Sequence, residues 1–187
     1  FDLTKVAPQI TQLTAELADE LVTVRRDLHA HPELGRQEYR STERVVARLR
    51  QAGLDPHALP AGAGLICDIG DSGPIVALRA DLDALPIPDE KVDVPYRSTV
   101  AGLCHACGHD IHTAVLLGVG LVLARVLEES GVPGRVRLIF QPAEEGLGGA
   151  VRMMADGLFD KYPCDAVFAM HNMPGHSQGR LVFRDGA

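Results

Sequence analysis

The stretch DIHTAVLLGVGLVLARVLEESGVPGRVRLIFQPAEEG, residues 110–146, contains one helix, one strand and a polar tip. Residues 110–129 are rich in Leu, Val and Ala, with few charges until the end. A helix apolar on most sides is a buried one. Arg135–Gln141 (RVRLIFQ) follows as a strand, and Glu144-Glu145 come just after it. Upstream, apolar residues at Ile10, Leu13, Leu17, Leu21, Val24 and Leu28 predict a helix over 10–29, after Pro8 and before Pro32. Val45, Val46 and Leu49 predict a second over 38–52, stopped by Gly53. Residues 64–69 and 74–80 read as strands, and Pro86, Pro88 and Pro95 make 85–99 a loop. Downstream, the pattern predicts a helix over 149–157 and strands over 166–171 and 179–184. Strands alternating with helices predict a three-layer α/β/α sandwich around a mixed, largely parallel sheet.

Sites in such sheets gather at the carboxyl ends of strands. Asp81 and Asp83 follow one predicted strand, Glu144 and Glu145 another, and His171 ends a third. Cys107 and His109 precede the long helix. Four separate elements therefore deliver polar residues towards one edge. Thiolate, imidazole and carboxylate are the groups that hold divalent transition metals. Cys107 and His109 are separated by Gly108 alone, and glycine tolerates the tight turn that would aim both at one centre. The adjacent side chains of Glu144 and Glu145 diverge in an extended segment, so one can ligate while the other faces a reacting water. The set reads as metal-assisted hydrolysis, one ligand short of complete.

Taken singly, each residue has a plainer role: a buried thiol, a hydrogen-bonded histidine, a solvated acidic pair. Their joint placement carries the reading. Cys104-His105-Ala106-Cys107 also fits C-x-x-C, but Cys67 and Cys164 stand alone and a Pro-rich loop precedes the pair. Structural zinc and thioredoxin-like redox chemistry therefore rank below hydrolysis. His112, three residues after His109, reads as a helix-start residue ahead of a ligand supporter. His29 and His31 read as a helix end, and His57, His105 and His176 carry no argument.

The 187 residues suit one domain that buries roughly two-thirds of its unfolded surface. The net charge of −7 argues against nucleic acid or an anionic membrane as the main partner. The apolar run 113–124 is too short to span a bilayer. Four unevenly placed cysteines read as reduced thiols, which makes a cytoplasmic enzyme the expectation.

LHAHPEL (28–34), RADLDALP (79–86), HACGHDIHT (105–113), QPAEEG (141–146) and MHNMP (170–174) recur together and in this order. In this the chain resembles the amidohydrolase branch of the dinuclear metallopeptidases, which includes hippurate hydrolases, N-acyl-amino-acid deacylases and auxin-conjugate hydrolases. The resemblance runs from about Ala18 to the end. It implies Cys107, His109, Glu145 and His171 as metal ligands, Glu144 as general base and acid, and Asp81 as an orienting acid. Arg79 stands where other branches carry a histidine ligand, and Cys104 where relatives usually have Met or Ala. The implied cofactors are two divalent cations, zinc or manganese first, with nickel or cobalt as alternatives. The implied substrate is a small N-acyl amino acid. Family chains are about twice this length, so residues 1–187 are expected to be the amino-terminal portion of a catalytic domain. The lid and dimerisation domain and a last histidine ligand would then lie elsewhere, and the full-length parent would be a homodimer or homotetramer. A non-catalytic metal-binding domain of the same fold is the alternative.

Overall fold

A computed structural model describes residues 3–183. After a 3-10 turn at Leu3–Lys5, the elements run α1 (Ala7–Ala30), α2 (Tyr39–Gln51), β1 (His57–Ala58), β2 (Leu65–Ile69), β3 (Ile75–Asp81), α3 (His109–Ser130), β4 (Arg135–Gln141), α4 (Gly149–Ala155), α5 (Leu158–Lys161) and β5 (Ala166–Ala169). β1 and α5 are too short for a periodicity to announce them. Each predicted helix is present within a few residues of its expected bounds.

The five strands form one sheet in the order β1-β2-β4-β3-β5. β2 pairs antiparallel with both β1 and β4, while β3 lies parallel to β4 and to β5. The sheet is therefore mixed, and its three site-bearing strands are mutually parallel. Alternation along the strands builds two cores. Leu65, Cys67, Ile69, Ala80, Leu138 and Phe140 pack with Val24, Leu28, Val45, Leu49, Leu117 and Leu121 from α1, α2 and α3. Ile66, Ala77 and Ile139, pointing the other way, meet Met153 of α4 and Leu158 of α5. That is the α/β/α sandwich. Its second face also buries Arg137, whose guanidinium holds Asp68 through two hydrogen bonds of 2.7 and 2.6 Å.

The helix α3 is long and apolar enough by composition alone to cross a membrane, but most of it is buried in this fold. Its hydrophobicity is spent on the sheet and on α1. The strand expected over 179–184 does not form in its described part. Residues 179–183 are turn and irregular backbone, and Leu181, Val182 and Phe183 are exposed. A strand needs a neighbouring edge to satisfy its N–H and C=O groups, and the described residues pair none with this segment. Arg184 lies outside the described residues.

Register brings the polar tips together. Asp81 pairs with Gln141 at the carboxyl ends of β3 and β4, so Glu144 and Glu145 lie just past that row. Ala169 pairs with Arg79, which puts His171 level with Asp81 at the same edge. The crossover from β3 to β4 runs through α3, so the first turn of α3 arrives there as well.

Candidate metal centre

His109 is the first residue of α3 and is fully buried. Its Nδ1 lies 2.8 Å from the backbone oxygen of Asp83. A carbonyl can only accept, so Nδ1 carries the hydrogen and Nε2 is the atom turned inward. That Nε2 has no hydrogen-bond partner among the described residues. It lies 3.7 Å from Asp81 Oδ2, 3.8 Å from Glu145 Oε1 and 3.9 Å from Glu144 Oε2. Burial works against the imidazolium. The hydrogen bond to Asp83 and the charges of Asp81 and Asp83 outweigh it and raise the His109 pKa. The same negative field favours a cation at this point.

His171 repeats the arrangement from the other side. Its Nδ1 donates to the Asn172 carbonyl at 2.7 Å, leaving Nε2 to accept from Cys107 Sγ at 3.4 Å. Burial, then the neighbouring Glu145 carboxylate and the charges of Asp81 and Glu144, push the Cys107 thiol up to about 11. Gly108, at φ +91, makes the turn between Cys107 and His109. It also leaves room for Asn172, since a Cβ there would collide with the Asn172 side-chain amide.

Asp81 is almost completely buried. Its Oδ1 takes His112 Nδ1 at 2.6 Å, and its Oδ2 takes Arg79 Nη1 at 2.7 Å. Burial alone would raise its pKa. The His112 hydrogen bond, with the charges of His109, Arg79 and His112, holds it at about 2. Arg79 also donates to Gln141 Oε1 at 2.9 Å, so it serves the carboxyl end of the sheet as an anchor. Asp81 thus bonds to His112, while His109 is oriented by Asp83. Asp83 in turn receives the Glu145 N–H at 2.9 Å and fixes the turn after β4.

The structure brings all six expected residues to one edge. Ligand atoms of Cys107, His109 and His171 lie within 4.8 Å of one another, as do those of His109, Glu144 and Glu145, and those of Asp81, His109 and His112. These donors fit divalent cations. They mix N, S and O atoms, they converge, and His109 Nε2 and Glu145 Oε1 are buried without a hydrogen-bond partner among the described residues.

A family model described as peptidase family M20/M25/M40 matches residues 77–186, which carry every one of these side chains. The chain belongs to that family. Among its relatives is the N-acetyl-L-cysteine deacetylase of Bacillus subtilis, 41% identical over 172 residues, or 91% of this chain and 40% of the relative. The hippurate hydrolase of Campylobacter jejuni is 39% identical over 92% of this chain and 44% of its own. A crystal structure of a dinuclear metal binding peptidase of the M20 family, from Bacillus subtilis, superposes with a TM-score of 0.78. It is 38% identical, and the match covers 86% of this chain and 44% of that one. The chain spans about two-fifths of the length of these relatives.

Two contributors were not assigned from sequence. His112 reads there as a helix-start residue, although its i, i+3 spacing from His109 was the available signal; here it joins Asp81 to Asn172. Asn172 gave no local signal, because its partner is distant in sequence. Cys104, buried, sits with His29 and Asp89 in a separate cluster. Asp89 already accepts from the backbone N–H groups of Lys91 and Ser98 and from the Lys91 ammonium, and it lies 3.3 Å from His29 Nε2. That carboxylate is a loop anchor. All four cysteines are free thiols.

Proposed function

We propose that this chain carries most of the metal centre of an amidohydrolase acting on the amide bond of N-acyl amino acids. The observation that carries the reading is His109 Nε2, buried and without a hydrogen-bond partner among the described residues, facing three carboxylates beside the Cys107–His171 pair. Cys107, His109, Glu145 and His171 would hold two divalent cations, zinc or manganese. Bound there, they would supply Lewis acidity for a water and for the scissile carbonyl.

Glu144 is the proton carrier. Its side chain is 42% exposed, against 24% for Glu145, and its Oε2 reaches the same centre. The exposed partner can meet a substrate, and the sheltered one can stay on a cation. Glu144 Oε2 takes a proton from the attacking water and passes it to the leaving amide nitrogen. Asp81 and His112 keep the surrounding imidazoles in register. The named activities of the two curated relatives, deacetylation of N-acetyl-L-cysteine and hydrolysis of hippurate, share an acyl group on an amino-acid nitrogen. They support that substrate class. In a full-length protein of the relatives' size, the uncovered part would add the last ligand and the grip on the substrate carboxylate.

The test is Glu144→Gln in the full-length protein, with N-acetyl-cysteine and hippurate as substrates. Cation affinity should be retained while turnover falls by about 10²–10⁴-fold. Unchanged turnover removes Glu144 from the chemistry. Loss of cation binding makes Glu144 a ligand instead.

A further inference from the structure

Glu38 is the N-cap residue of α2 and is 0% exposed, an unusual place for a carboxyl group. Capping does not explain it. The first-turn amides of that helix are met by Glu33, whose two oxygens accept from the Arg40 N–H at 2.9 Å and the Ser41 N–H at 2.7 Å. The Glu38 side chain is therefore free to reach across the molecule. Its Oε1 accepts the Ala143 N–H at 2.7 Å, 105 residues away, and its Oε2 has no hydrogen-bond partner among the described residues.

Ala143 is itself unusual. It adopts φ +55, the left-handed region that a residue with a Cβ disfavours. Such a conformation persists where its surroundings over-determine it, and here they do. The Ala143 N–H is taken by Glu38, its carbonyl accepts from Gly149 N at 2.9 Å, and Gly35 lies so near that a Cβ there would crowd the Ala143 Cα. The next two residues are Glu144 and Glu145. The left-handed step turns the chain as it leaves β4, so that both carboxylates face His109 and do not continue along the strand.

We propose that Glu38 is a positioning residue for Glu144 and Glu145, acting through its hydrogen bond to the Ala143 N–H. The inference rests on the reading above in that Glu145 is taken as a cation ligand. Reach matters here more than charge. Burial pushes the Glu38 carboxyl up to about 7, so much of it is neutral at neutral pH, and a neutral carboxyl still accepts through its carbonyl oxygen.

Three variants of the chain separate the roles, each titrated with Co²⁺ and followed by the absorption of the cobalt–thiolate site. Glu38→Gln keeps an acceptor at the same distance and should bind Co²⁺ as the unaltered chain does. Glu38→Asp keeps the carboxylate but falls short of Ala143, and Glu38→Leu fills the space with no acceptor. Both should weaken binding by about tenfold or more. Glu38→Leu also removes a buried polar group, so a purely structural role would show in its melting temperature and not in its cobalt affinity. Should Glu38→Leu fail to fold, the Gln–Asp comparison decides alone. Wild-type affinity in Glu38→Asp, or equal loss in Glu38→Gln, overturns the proposal. Glu145→Gln is the control. If it leaves cobalt affinity unchanged, the metal-centre reading falls; if it weakens binding while Glu38→Asp does not, only the role of Glu38 falls.

Discussion

The His112 imidazole lies 2.6 Å from Asp81 Oδ1 through Nδ1, and its other nitrogen meets Asn172, with the side-chain amide at 2.6 Å and the backbone N–H at 3.1 Å. One ring thus joins the end of β3 to the segment after β5. Because Asn172 follows His171 directly, the same ring sets where His171 stands, and the two imidazoles pack edge to face 4.5 Å apart. A histidine outside the expected ligand set therefore determines the position of one inside it.

His112→Ala should weaken cation binding by about 10–100-fold, the usual consequence of removing a group that orients a ligand. It should also cost about 1–3 kcal/mol, since the buried Asp81 loses a partner. The pH dependence gives a second readout. Asp81 is held at about 2 against an ordinary 3.8, so its stabilising effect is present above the ordinary value and is lost as pH falls towards 2. In His112→Ala that acid limb should flatten. Calorimetric titration and urea unfolding at several pH values check both; unaltered cation affinity would place His112 in the scaffold only.

Cation binding should release protons. The Cys107 thiol, pushed up to about 11, is protonated at neutral pH, and a thiolate is needed to hold a metal. Asp81 is already ionised there and contributes none. Apparent affinity should therefore rise with pH, by up to about tenfold per unit over the neutral range, with about one proton set free by Cys107. Calorimetry in buffers of differing ionisation enthalpy counts it. Equal proton release from Cys107→Ser would remove the thiol from the site.

Local pattern and long-range contact divide what the sequence shows. The buried helix 110–129 and the strand Arg135–Gln141 are legible because their apolar residues are what the sheet buries. The convergence of Asp81, Cys107, His109, Glu144, Glu145 and His171 is legible because parallel strands put their carboxyl ends on one edge. The strand expected over 179–184 fails because strand propensity reports a half-buried surface, and no described edge covers Leu181, Val182 and Phe183. His112 and Glu38 escape notice for another reason. Their meaning lies in Asn172 and Ala143, 60 and 105 residues away, and no periodicity encodes a single contact at that range.

Gly108→Ala tests the close packing directly, because two independent penalties fall on one methyl group. At φ +91 an alanine is strained whatever the space around it, and its Cβ would overlap the Asn172 amide. Together they should cost about 1–3 kcal/mol in urea unfolding. Displacing Asn172 would also break its contact with His112 and move His171, so cation affinity should fall with stability. Adding Asn172→Gly removes the overlap but not the backbone strain. The double variant should therefore recover part of the stability and little of the affinity, since His112 keeps only the backbone N–H of residue 172 and lacks the side-chain amide that helps tie it to the His171 segment. Full recovery of cation affinity in the double variant would show that His171 is held in place without Asn172.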